Sequence, residues 1–120
     1  MEFINLDMAK EYLRVDSSDE DALIGALAEG AEKLCMDVAR LTAEEAEELS
    51  RVDTDDDGNV TAIRTDAFSI AEVIQIREVM KIAVLYAIGY LFEHREDADH
   101  HGLNMTLRSI LFAVRERRMY

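Results

Sequence analysis

With 120 residues, the chain is sized for one domain, and 49% hydrophobic residues supply the apolar material for one core. Pro is absent, Gly numbers 5 and aromatics are 7%, a composition that argues against a turn-rich β-sandwich and for helices around an aliphatic core. The net charge is −13, and residues 1–58 hold all of the excess, with 18 Asp and Glu against 5 Lys and Arg. A surface of that sign repels phosphate backbones and argues against ordinary DNA or RNA binding. It suits solubility, a basic protein partner, or the wall of a space through which nucleic acid passes without sticking.

The pattern predicts a first helix over about Asn5 to Val15, with Leu6, Ala9, Tyr12 and Leu13 at helical spacing, Asn5 as N-cap and Asp7 in the first turn. Asp16-Ser17-Ser18-Asp19 reads as a stop and a new start. Ser18 and Asp21 have the spacing of a capping box, with Asp in place of Glu. A second helix is expected from about Asp19 to Arg40, its apolar face running Leu23, Ile24, Leu27, Ala28, Ala31, Leu34, Cys35 and Val38. Gly25 and Gly30 interrupt it, either as marks of close helix approach or as tolerated glycines.

Thr42-Ala43-Glu44-Glu45 is a full capping box opening a short third helix through about Ser50. From Arg51 to Asp66 the sequence is least regular, with a brief extended piece at Val60 to Ile63; the acidic linker 51–68 separates two helical halves. Ser69-Ile70-Ala71-Glu72 is another capping box and launches a long helix to about His94. Ile82 to Phe92 is apolar almost all round, which predicts a helix buried on most sides. The run is shorter than the about 20 residues of a membrane span, and Lys81 interrupts it. A polar loop, Asp97 to Gly102, then leads to a last helix over about Asn104 to Arg117.

Asp53-x-Asp55-x-Asp57-Gly58-x-Val60 matches the first half of an EF-hand loop, where alternating carboxylates on a tight turn converge on a hard cation. The position that needs a bidentate Glu is occupied by Arg64. Asp53, Asp55 and Asp57 are therefore weak metal candidates, and the simpler reading is a solvated acidic turn. His94, His100 and His101 flank Asp97 and Asp99; an exposed polar loop explains them more simply than a metal site. Cys35 is the single cysteine and reads as a small buried hydrophobe. No activated nucleophile, phosphate-binding Gly loop or His-Glu-x-x-His motif is present, so no catalytic residue and no cofactor is assigned. The N-terminus has no basic, then apolar, signal-peptide pattern, and the expected location is the cytoplasm. Arg115, Arg117, Arg118 and Tyr120 form the one basic spot. It either docks on an acidic neighbour, such as the first half of another copy, or complements the helix dipole.

Three segments together resemble the small head–tail connector proteins of tailed bacteriophages and prophages. They are Asn5 to Asp16 with Asp19 to Ile24; Leu41-Thr42-Ala43-Glu44-Glu45, similar to that family's Gly-Leu-Thr-x-Glu-Glu-Leu; and Ile82 to Glu96, similar to an apolar helix ending in Tyr-x-Asn-Arg-Glu. Leu91-Phe92-Glu93-His94 and the length of the 53–66 stretch depart from the family pattern. The resemblance implies a non-enzymatic ring of identical subunits joining portal to tail or stopper proteins. DNA passes through the channel, and the subunit moves from host cytoplasm to virion. The expectation is an all-α fold over 1–120, a small bundle of about four to five helices around a central apolar helix. A calcium-responsive module built on Asp53, Asp55 and Asp57, and an acidic DNA mimic, are the competing readings.

Overall fold

The computed structural model describes residues 3–94 and 101–116. Six helices and one β-hairpin are found there: α1 (Leu6–Leu13), α2 (Asp21–Ala39), α3 (Ala43–Ser50), β1 (Val52–Thr54), β2 (Val60–Ile63), α4 (Ile70–Glu93), α5 (His101–Ile110) and α6 (Phe112–Arg115).

Helix starts follow local chemistry closely. The Asn5 side chain accepts the Met8 N–H at 2.8 Å, and Thr42 with Glu45 and Ser69 with Glu72 form reciprocal capping boxes. The expected box at Ser18 and Asp21 does not form. Glu20 precedes the helix without a side-chain cap, and the Asp21 carboxylate instead pairs with the Lys10 ammonium at 2.8 Å, tying α2 to α1. Helices α1 and α2 end alike. Arg14 and Arg40 each take the left-handed conformation at φ 58°, and the next residues, Val15 and Leu41, return N–H bonds of 2.9 Å to Lys10 and Met36.

The acidic linker is a hairpin rather than an irregular loop. Strands β1 and β2 pair antiparallel, Val52 against Ile63 and Asp53 against Ala62, with an irregularity between Asp53 and Thr54. Val52, Ile63 and Phe68 rest on the core, and β2 packs against α4. The mainly helical expectation therefore holds with this small sheet added. The last helix starts earlier than its pattern suggests, at His101, and breaks at Leu111.

Helix α4 lies at the centre, packing on α1, α2, α5 and β2. Val73, Ile76, Met80, Ala83, Val84, Ala87 and Ile88 are buried along it, facing Ile24, Ala28, Ala31 and Cys35 of α2 and Leu103, Leu107 and Leu111 at the C-terminal end. Small residues on both α2 and α4 allow their backbones to approach. At Gly89 a Cβ would meet Tyr12 Cε1 of α1 at 3.0 Å, whereas Gly25 and Gly30 face open space and mark no close approach. Burial of α4 is not complete: Ile70, Ile74, Ile82 and Tyr86 are exposed. No helix among the described residues is long and apolar enough to cross a membrane.

Candidate assembly surfaces

The acidic turn does not gather its carboxylates into a cage. Asp55 accepts the N–H groups of Asp57 and Asn59 at 3.0 and 2.9 Å and the Asn59 side-chain amide at 3.4 Å, an arrangement that holds the turn closed. The hydrogen bond from the Asn59 backbone, the largest cause, keeps its carboxyl below the usual carboxylate range. Asp53 pairs instead with Arg64 at 3.5 Å, across the hairpin. Gly58 at φ 86° supplies the left-handed residue the turn requires. Among the described residues, no group of three or more His, Cys, Asp or Glu side chains is placed to hold a metal ion. The Asp53-x-Asp55-x-Asp57-Gly58 stretch forms the turn of the β1–β2 hairpin.

The histidines are separated. His94 ends α4, its ring stacked on Tyr90 at 4.2 Å and its Nδ1 2.9 Å from the Tyr90 carbonyl oxygen, while His101 opens α5. Asp97, Asp99 and His100 lie outside the described residues. Cys35 is buried, and burial, with the Glu32 charge second, pushes its thiol up to about 12. It is a packed apolar side chain rather than a nucleophile.

Glu32 is the functional-looking residue that sequence reading passed over. Only 4% exposed, its carboxylate accepts the N–H groups of Phe3 and Ile4 at 3.0 and 3.1 Å. It thereby pins the N-terminal segment across the bundle, where the Arg77 guanidinium lies 5.8 Å from the centre of the Phe3 ring. Position 32 follows Ala31 on the apolar face of α2, and a carboxylate there was the available signal of a buried partner. An open groove of about 340 Å³ borders this segment, between it, the hairpin tip and α4.

Two arginines serve the fold rather than the surface. Helices α2 and α3 have no basic residue in their last turns. Arg115 donates to the Val38 carbonyl at 2.7 Å, and Arg77 to the Leu49 carbonyl at 2.8 Å, placing positive charge at both helix ends. Arg115 is thus turned inward, and Arg117, Arg118 and Tyr120 lie outside the described residues. What the bundle does present to solvent is apolar side chains on two faces: Ile82 (57% exposed) with Tyr86 and Tyr12 on α4 and α1, and Met105 (53%) with Phe112 (63%) on α5 and α6.

The comparisons with known proteins decide the class of this chain. The family model for phage gp6-like head-tail connector proteins matches residues 3–117. The chain belongs to this family. No curated protein and no solved structure matches it. The match spans every element of this connector, from the Glu32-pinned N-terminal segment through α6. The family is structural and non-enzymatic, and it implies contact with other phage head and tail proteins. For such a protein the surfaces that matter are docking faces, and the connector has the apolar ones just described.

Proposed function

We propose that the protein is a subunit of a head–tail connector ring that joins portal to tail or stopper components during virion assembly and DNA packaging. The observation that carries this reading is the family match over residues 3–117, which includes the whole helical framework. The unit proposed is residues 1–120 acting as one domain. Self-association into a ring supplies cover for the exposed α4 and α5–α6 faces, because apolar patches of this kind on a small protein favour partner contacts.

In this reading the acidic half serves assembly with basic partners and discourages DNA in the channel from adhering. Arg117, Arg118 and Tyr120 form a C-terminal docking segment, while the inward Arg115 fixes the helix that leads to it. The subunit waits in the host cytoplasm and ends at the head–tail junction of the virion.

Co-expression with the portal protein of the same phage, followed by size-exclusion chromatography with light scattering and electron microscopy, tests this. The expected outcome is a complex in which the connector caps the portal ring in several copies. A protein that binds no portal, and leaves heads tail-competent when its gene is disrupted, overturns the proposal.

A further inference from the structure

A second open groove, of about 580 Å³, lies between the end of α1 and the C-terminal turns of α4, and its lining is rich in aromatic rings. On α4, Tyr86, Gly89, Tyr90 and Glu93 are three, one and three residues apart. That spacing keeps them within an arc of about 100° on one side of the helix. Gly89 is the seat for the ring that α1 contributes. A Cβ there would stand 3.0 Å from Cε1 of Tyr12 and 3.8 Å from its hydroxyl oxygen. The Tyr12 ring therefore lies against α4 at the level of Gly89, and the three tyrosines line one groove. His94, stacked on Tyr90 at 4.2 Å, extends the aromatic wall.

The polar ends of two of these rings are available. Tyr12 is 50% and Tyr86 39% exposed, and neither hydroxyl has a hydrogen-bond partner among the described residues. Solvent-facing rings that carry free donors match a polyproline II segment. Its proline rings pack on aromatic faces, and its carbonyls, unpaired within the segment, accept from tyrosine hydroxyls. Single-stranded nucleic acid also stacks on aromatic side chains, but Glu93 lines the groove and the chain carries a net charge of −13. A second copy has no such segment to offer, because the chain contains no proline. Charge adds one requirement. Arg14, exposed at the end of α1, lines the groove with no ionic partner among the described residues, and it calls for a carboxylate beside the proline run. We propose that the Tyr12–Tyr86–Tyr90 groove binds a proline-rich, acidic segment of a different protein in the polyproline II conformation. This gives the connector reading the chemistry of one partner segment, and rests on that reading only for placing the segment in a head or tail protein. Ile82, one turn before Tyr86 and outside the groove lining, is left for contacts between copies.

Titration of the isotope-labelled full chain with a synthetic oligoproline peptide flanked by glutamates, followed by amide NMR, tests the proposal. Saturable shifts at Tyr12, Tyr86 and Gly89 are expected below about 1 mM peptide. A peptide with glycine in place of proline is expected to bind about tenfold or more weakly. The double variant Tyr12→Ala, Tyr86→Ala loses about tenfold or more in affinity, and Tyr12→Phe, Tyr86→Phe, which keeps the rings without the donors, loses less. Gly89→Ala pushes the exposed Tyr12 ring off its seat and weakens binding, while Ile82→Ser leaves it unchanged. Arg14→Gln removes the preference for glutamate over lysine flanks. Tyr12, Tyr86, Arg14 and Ile82 are exposed, so unchanged circular dichroism spectra and melting curves confirm intact folding. Absence of saturable shifts up to millimolar peptide overturns the proposal. So do an alanine double variant that binds like wild type, a glycine peptide that binds equally well, and the same shifts produced by oligothymidylate. Portal co-expression separates the two readings. A portal complex made by a protein that binds no proline peptide sinks the groove proposal alone, and proline binding without any portal complex sinks the connector reading alone.

Discussion

Glu32 makes the bundle depend on one buried carboxylate. Its two acceptor bonds satisfy the Phe3 and Ile4 N–H groups, which no helix or strand could satisfy, and removing it orphans both. Glu32→Ala is expected to cost about 2–3 kcal/mol, read by urea unfolding, with amide exchange at Phe3 and Ile4 rising before the rest of the core. Cys35 is governed by burial in the opposite sense. Its thiol ionises at about 12 in the fold against 9.0 when exposed, so the native state holds the proton over that window and stability falls as pH rises through it. Native protein at pH 8 is accordingly expected to resist iodoacetamide, and unfolded protein to react fully, as mass spectrometry would show. Asp55 is the reverse case. Its lowered carboxyl pKa means that the turn's hydrogen bonds are intact above the ordinary value of 3.8 and are lost as pH falls below it. Asp55→Ala should abolish cross-strand NMR contacts between Val52 and Ile63 while the helical signals persist, because the hairpin closes through that carboxylate.

Among the elements, helix starts were legible and helix ends less so. A capping box is a local exchange of two hydrogen bonds over four residues, and Thr42 and Ser69 announce it in sequence. The far ends of α2 and α3 are completed by Arg115 and Arg77, residues 77 and 28 positions away, and no local pattern contains them. The hairpin lies between these cases. Asp57-Gly58 between Val52 and Val60 is a turn signal of the hairpin type, yet the same carboxylate spacing also suits a cation loop. The pairing of Val52 with Ile63 is a tertiary fact that the local pattern does not contain. Backbone conformation gives a direct test at this scale. Arg14 occupies a left-handed position, and Gly30 has open space where a Cβ would stand in mid-helix. Arg14→Gly and Gly30→Ala are each expected to stabilise by about 0.5–1 kcal/mol, one by relieving the left-handed strain and the other by restoring helix propensity. Thermal unfolding of the two single variants measures both.

For the molecule as a whole, α4 sets the division between folding and assembly. Ile88 is fully buried and Ile82, six residues earlier on the same helix, is mostly exposed. Ile88→Ala is expected to cost about 2–5 kcal/mol through lost burial and a cavity. Ile82→Ser should change the stability of the isolated chain by less than about 0.5 kcal/mol. Denaturant melts of the two variants check the contrast, which hydropathy alone does not foresee because both residues belong to one apolar run. The sequence by itself determined the mainly helical class, the order of the longer helices, the capped starts at Asn5, Thr42 and Ser69 and the likeness to head–tail connectors, because periodicity and caps act within a few residues. Only the tertiary structure decided that Glu32 and Arg115 turn inward, that Asp55 closes a turn, and that Met105, Arg108 and Phe112 face outward. Burial and charge pairing depend on which distant segments meet, and the pattern along a single helix does not contain that.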